Sequence, residues 1–277
     1  MSKIALIQMR SGGKVAANLQ DAAAYLAQAA AQGATLAILP ENFALMANES
    51  QRREIAEAPG AGPLQDFLSE QARNNGIWLV AGTIPLLDND YESADRPPAA
   101  SCLVIDSKGN QVARYDKIHL FDVGIPGREE AYHESAHTHA GSKAVCVDTP
   151  VGRLGLAVCY DIRFPALFMR LMDQGMEVLA LPAAFTAGTG EAHWEILLRA
   201  RAIESLCYVA AAAHGGRHEN GRETWGHSML VDPWGAVNAE MDKEPGVLIA
   251  AINIDELKKI RQRFPVLTHG RLDNNYG

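Results

Sequence analysis

The chain opens on a short, largely apolar run at residues 3–9, and comparable runs recur at 35–39 and 77–82. Each is too short for an amphipathic helix, and their continuous apolarity suits strands buried on both faces. Between them, residues 15–32 are Ala-rich, with Leu19, Ala23, Leu26 and Ala30 at helical spacing and Gly33 as a C-terminal stop. Residues 64–75 form a second amphipathic helix. Residues 101–105 and 111–115 flank Asp106-Ser-Lys-Gly-Asn110, the signature of a hairpin.

The second half repeats this pattern. Arg-Leu-Gly-Leu-Ala-Val-Cys at 153–159 aligns with Lys-Ile-Ala-Leu-Ile-Gln-Met at 3–9. Val-Leu-Ala-Leu-Pro-Ala-Ala-Phe at 178–185 aligns with Leu-Ala-Ile-Leu-Pro-Glu-Asn-Phe at 36–43. Helices fall in matching places, at 166–174 and 193–205, and residues 228–237 form a second hairpin around an Asp and a Gly. Each half therefore reads β-α-β-α-β-β. Two such halves stacked sheet on sheet give an α/β fold, a four-layer α-β-β-α sandwich. With no linker between them, residues 1–277 are expected to form one domain. Beyond Leu257 the chain is basic and polar (Lys258, Lys259, Arg261, Arg263), which suits an exposed helix or a tail crossing to a partner subunit.

The repeat directs attention to the positions where the halves differ. Cys159 stands where the first half has Met9, and Glu41 where the second half has Ala183. Cys159 is expected at the end of a buried strand, a place that can expose a nucleophile; a small core residue is the plainer reading. Glu41 leaves a strand after Pro40, where partial desolvation would raise its pKa and suit a general base, if it is more than a surface carboxylate. Lys117, in Arg114-Tyr-Asp-Lys-Ile-His-Leu-Phe-Asp122, can set a cation against an oxyanion, or can be a solvated hairpin lysine paired with Asp116. His133, His137 and His139 lie near Glu134 in a polar loop, but their spacing matches no usual zinc signature, and no metal site is assigned. Glu134 is the better functional candidate there, as a second carboxylate. In the helix at 192–204, Glu195 and Arg199 are spaced for an i, i+4 ion pair, with support of a dimer interface as the alternative role.

Composition narrows the function classes. A net charge of −8 and a pI near 5.6 over 277 residues argue against nucleic acid or an anionic membrane as the main partner. No segment reaches the apolar length of a membrane span, and the N-terminal apolar run is too short for a signal peptide. The four cysteines, Cys102, Cys146, Cys159 and Cys207, form no paired motif, which suits a reducing cytoplasm. No glycine-rich phosphate loop or dinucleotide fingerprint occurs, so no cofactor is implied.

Pro40-Glu41-Asn-Phe, Tyr115-Asp-Lys117-Ile-His-Leu-Phe-Asp and Gly155-Leu-Ala-Val-Cys159-Tyr-Asp-Ile-Arg-Phe-Pro together resemble the nitrilase, or carbon–nitrogen hydrolase, superfamily, in the family's order and over essentially the whole chain. The resemblance implies the four-layer sandwich, a homodimer or higher homo-oligomer formed across the helical face beside the cysteine, and a Glu41–Lys117–Cys159 triad. Glu134 matches the family's second glutamate, with Glu129 and Glu130 close by. It implies hydrolysis of a small-molecule amide through a thioester, with the backbone N–H of Tyr160 helping to hold the oxyanion. Arg163 is then a candidate for binding a substrate carboxylate, with Asp161 as its alternative partner. Residues 192–237 resemble the branch acting on deaminated glutathione, and the ω-amidase branch acting on α-ketoglutaramate shares much of that segment. A non-catalytic binding scaffold on the same fold is the alternative from another class.

Overall fold

A computed structural model describes residues 1–47, 49–87, 96–124 and 131–271. The first sheet is built from β1 (Ser2–Gln8), β2 (Leu36–Ile38), β3 (Trp78–Val80), β4 (Ile84–Leu86), β5 (Ala99–Ile105) and β6 (Gln111–Asp116). Helices α1 (Val15–Ala31), α2 (Glu49–Glu54) and α3 (Pro63–Asn75) lie between its strands. A small hairpin follows, β7 (Asp122–Gly124) with β8 (Ala131–His133). The second sheet takes β9 (Cys146–Thr149), β10 (Gly152–Leu156), β11 (Val178–Ala183) and β12 (Tyr208–Ala213), with helices α4 (Pro165–Asp173) and α5 (Ala187–Ser205) interposed. After the hairpin of β13 (Gly215–Arg217) and β14 (Glu223–Trp225), strands β15 (Met229–Val231) and β16 (Val237–Glu240) complete the second sheet. The chain ends its regular structure with β17 (Gly246–Ile252) and α6 (Ile254–Arg263).

The repeat is structural as well as sequential. In the first sheet Ile4 lies opposite Leu36 in a parallel ladder, and in the second Leu154 lies opposite Val178 in the same register. Side-chain alternation then sorts the core into layers. Ile4 and Leu6 of β1 pack with Leu154 and Leu156 between the sheets, whereas Ala5 and Ile7 pack outward with Leu26 of α1 and Leu68 of α3. On the far side, Leu167, Phe168 and Leu171 of α4 and Trp194 and Leu198 of α5 cover the second sheet. This is the expected α-β-β-α sandwich, with both central strands of each sheet buried on two faces.

Two features depart from the sequence reading. The halves are not separate β-α-β-α-β-β units, because β17 returns to pair antiparallel with β1 along its whole length, from Ser2 opposite Ile252 to Gln8 opposite Gly246. Strand β9 takes the equivalent antiparallel place beside β10. The expected helix at 193–205 begins earlier, at Ala187. Of the two alternatives for the basic C-terminal segment, the structure has the exposed helix, tied to its own chain: Leu257 is buried, and Arg261 donates to the carbonyls of Leu206 and Met176 at 2.9 and 2.6 Å. Asn253 caps that helix by accepting from Glu256 N–H at 3.2 Å.

Candidate active site

Four segments deliver side chains to one cleft at the carboxyl ends of the central strands. Beyond β2 the chain turns at Pro40-Glu41-Asn42. Asn42 has φ +57°, a left-handed conformation that asparagine tolerates better than most residues, and its N–H donates to Thr83 Oγ1 at 2.9 Å. The neighbouring strand exit passes so close that a Cβ on Gly82 would lie 2.0 Å from the Pro40 carbonyl oxygen. Glycine is required there, and the approach fixes where Glu41 leaves the sheet. Lys117 follows β6, its N–H bonded to Ala100 O at 3.0 Å and its carbonyl accepting from Gly141 at 2.9 Å.

Both charged groups are buried, at 3% and 1% exposure for Glu41 and Lys117. Such burial is tolerable only because the charges are paired. Lys117 Nζ donates to Glu41 Oε1 at 2.8 Å and to Glu134 Oε1 and Oε2 at 3.0 and 2.9 Å. Glu134 Oε2 also accepts from Phe121 N–H at 2.7 Å, so the same carboxylate holds the lysine and the segment that follows it. Lys117 is therefore not the solvated partner of Asp116, which instead accepts from Ser101 and Arg114.

Cys159 lies three residues beyond the last residue of β10, not at the strand end itself. It opens a 3₁₀ turn, Cys159–Arg163, with φ +47°. That conformation is uncommon for a residue with a side chain and persists only where the surroundings impose it. Asp161 supplies much of the constraint. Wholly buried, it accepts from Val158 N–H at 2.8 Å, Tyr115 Oη at 2.7 Å and His119 N–H at 3.0 Å, and pairs with His119 Nδ1 at 2.7 Å. It thus ties the cysteine turn to the segment that carries Lys117. The His119 ring stacks on Phe164 with centroids 3.7 Å apart.

The two halves meet at the chemistry. Ala184, the repeat counterpart of Asn42, donates its N–H to Glu41 Oε2 at 2.9 Å, and the Cys159 thiol lies beside the same carboxylate in the cleft. Burial pushes the Glu41 pKa upward, but the Lys117 ammonium beside it outweighs burial and holds the carboxyl below its usual range. This corrects the expectation of a raised value: desolvation was foreseen, its cation was not. Lys117 is opposed by burial and held charged by Glu134 and Glu41, the net effect being upward. Burial and the Glu41 charge push the Cys159 thiol up, against the pull of Lys117. The resting site accordingly holds a thiol, an ammonium and two carboxylates.

These groups line a cleft of about 510 Å³ together with Tyr160, Phe121, Arg52 and Arg222. Arg163 does not line it. Its guanidinium lies 3.3 Å from His193 Nδ1 and over the Tyr160 and Phe185 rings, and Asp161 is occupied elsewhere. Asp161, the alternative partner expected for Arg163, is therefore not its partner. Arg222 was missed: it sits in a polar loop between two short strands, and only its tertiary neighbours bring it to the cleft. Glu195 and Arg199 form the expected i, i+4 pair at 3.0 Å. His133 closes the β7–β8 hairpin and His139 pairs with Arg96; among the described residues no group of three potential ligands forms. Glu129 and Glu130 lie outside the described residues.

The sequence model of the carbon–nitrogen hydrolases matches residues 3–262. The chain belongs to the carbon–nitrogen hydrolase family. It is 46% identical over 270 residues to the deaminated glutathione amidase of Yersinia enterocolitica, covering 98% of this chain and 93% of that one. Among solved structures it resembles Saccharomyces cerevisiae Nit3, a member of branch 10 of the nitrilase superfamily. The TM-score is 0.85 at 30% identity, over 96% of this chain and 94% of that one. It also resembles a variant of an amidase from Nesterenkonia sp. AN1 that carries acrylamide added at its active-site cysteine. Here the TM-score is 0.76 at 26% identity, over 96% and 99% of the two chains. This carbon–nitrogen hydrolase is accordingly an amidase, and its fold is that of the superfamily.

Proposed function

We propose that this amidase hydrolyses deaminated glutathione to 2-oxoglutarate and cysteinylglycine through a thioester on Cys159. The observation that carries the mechanism is the buried chain Glu134–Lys117–Glu41, whose last carboxylate lies beside the Cys159 thiol in the cleft. The substrate is the one named for relatives such as that of Yersinia enterocolitica.

In the first step Glu41 takes the thiol proton as Cys159 Sγ bonds to the amide carbon. The carbonyl oxygen becomes an oxyanion, held by Lys117 and by the N–H of Tyr160. Tyr160 lies in the first turn of the 3₁₀ segment, where N–H groups have no partner within the helix. A donor of this kind is worth about 3–4 kcal/mol in other enzymes. The carbon–nitrogen bond then breaks and the leaving amine takes the proton from Glu41. A water next attacks the thioester, giving its proton to Glu41, and the carbon–sulfur bond breaks to restore the thiol. Glu134 positions Lys117 throughout without touching the substrate.

A homodimer is part of the same reading. Ile196 and Ile203 on α5, and Trp234 packed edge-on against Phe264, leave large apolar side chains exposed. The four free cysteines suit a reducing, cytoplasmic setting.

The test is release of 2-oxoglutarate from deaminated glutathione and, separately, from α-ketoglutaramate, with Cys159→Ala as control. Preferred turnover of the first, absent in the variant, supports the whole proposal. Preference for the second moves the substrate to the ω-amidase type and leaves the mechanism standing. Turnover that survives in Cys159→Ala refutes the mechanism.

A further inference from the structure

The cleft carries more positive charge than the chemistry uses. Its charged lining is Glu41 and Glu134 against Lys117, Arg52 and Arg222, in a chain whose net charge is −8. Lys117 is neutralised by the two carboxylates. Arg222 is not: among the described residues no carboxylate forms an ion pair with it. One guanidinium nitrogen, Nη2, donates to Ala184 O at 2.7 Å, and the group lies 5.3 Å from the Tyr132 ring centroid. Its Nε is buried and has no hydrogen-bond partner. A buried N–H of this kind is costly to leave unsatisfied, and a guanidinium with an unused edge matches the two oxygens of a carboxylate.

We propose that Arg222 binds a carboxylate of the substrate and makes the cleft selective for anionic amides. This rests on the amidase reaction proposed above and assigns the group that recognises its substrate. Deaminated glutathione bears one carboxylate on the acyl side of the scissile bond and another at the end of the leaving peptide; either one presents the chemistry Arg222 fits. The rival role is purely positional. Arg222 holds Ala184 O while Ala184 N–H holds Glu41, so Arg222 stands one peptide away from the base.

The two roles separate in the ratio of anionic to neutral turnover. The full chain and its Arg222→Gln and Arg222→Lys variants are assayed on pentanamide, on α-ketoglutaramate with its carboxylate on the acyl side, and on N-pentanoylglycine with its carboxylate on the leaving side. Arg222→Gln is expected to lower kcat/KM for one carboxylated amide relative to pentanamide by roughly 100-fold, chiefly through KM, with Arg222→Lys between. Which amide responds identifies the side. Equal losses on all three amides, expressed in kcat, overturn the proposal in favour of positioning. If the wild type cleaves no amide, the amidase reading fails while the arginine is still tested. Alkylation of Cys159 by iodoacetate relative to iodoacetamide should then fall about tenfold in Arg222→Gln, and an unchanged ratio overturns the proposal.

Discussion

Asp161→Asn separates the scaffold of the site from its chemistry, because Asp161 lies beneath the cysteine turn and takes no part in the reaction. Its Oδ1 accepts from His119 N–H and Nδ1, and its Oδ2 from Val158 N–H and Tyr115 Oη. Asparagine keeps one oxygen and presents an NH₂ on the other side. The Tyr115 hydroxyl can turn to accept, and the His119 ring can change tautomer. The two backbone N–H groups cannot adapt, and one lies on each oxygen. Whichever way the amide turns, one buried N–H faces another donor. The loss combines a hydrogen bond to a charged acceptor, about 1.5–3 kcal/mol, with the cost of a buried unpaired donor, about 1–3 kcal/mol. Relief from burying a charge offsets part of that, leaving about 3 kcal/mol. For a chain of this size the melting temperature should fall by about 6–12 °C, with a matching drop in the urea midpoint at constant slope. Because the same bonds fix Cys159 relative to Lys117, kcat/KM should fall about 10- to 100-fold even well below the melting temperature. A variant within about 0.5 kcal/mol of the wild type, with unchanged turnover, would falsify the view that Asp161 sets the site geometry.

Three further outcomes follow from the electrostatics. Lys117→Met leaves Glu41 and Glu134 facing one another in a dry site, so kcat/KM should drop at least about 10³-fold and the acid limb of any residual activity should move to higher pH; an unmoved limb counts against the pairing. In the wild type, Glu41 is held below its ordinary value of 4.5, so the acid limb of kcat/KM should lie below that pH. The same group's contribution to stability is present above pH 4.5 and is lost as pH falls through its depressed folded value. The raised Cys159 and Lys117 should leave no alkaline loss below about pH 9, and an alkaline limb falling between about pH 6 and 8 would contradict both assignments. His214 is wholly buried, and burial holds its pKa down at about 3 against 6.5 for the free side chain. Since the unfolded chain takes up a proton first, stability should decline as pH falls from 6.5, by about 2 kcal/mol on reaching pH 5, as measured by urea unfolding. A His214→Gln variant with the same slope would locate that loss elsewhere.

Much of this molecule is decided locally and could be read from the chain. Continuous apolarity and run length placed the central strands, helical spacing placed α1 and α3, and the alignment of 3–9 with 153–159 anticipated two stacked sheets, which share one ladder register. The substitution of reactive for inert residues between the halves, Glu41 for Ala183 and Cys159 for Met9, points from the sequence alone to two residues that line the cleft. Sheet closure was not legible, because pairing of β17 with β1 joins residues at opposite ends of the chain and leaves no local periodic mark. Charge states were not legible either. Glu41 at a strand exit predicts a raised pKa until Lys117, 76 residues away in sequence, is found 2.8 Å from it. Arg163 and Arg222 show the same limit. The first lies in the cysteine turn itself and faces His193, whereas the second is remote in sequence and lines the cleft. Local pattern determines which face of an element is buried; which charges meet across two stacked sheets depends on distances that only tertiary packing sets.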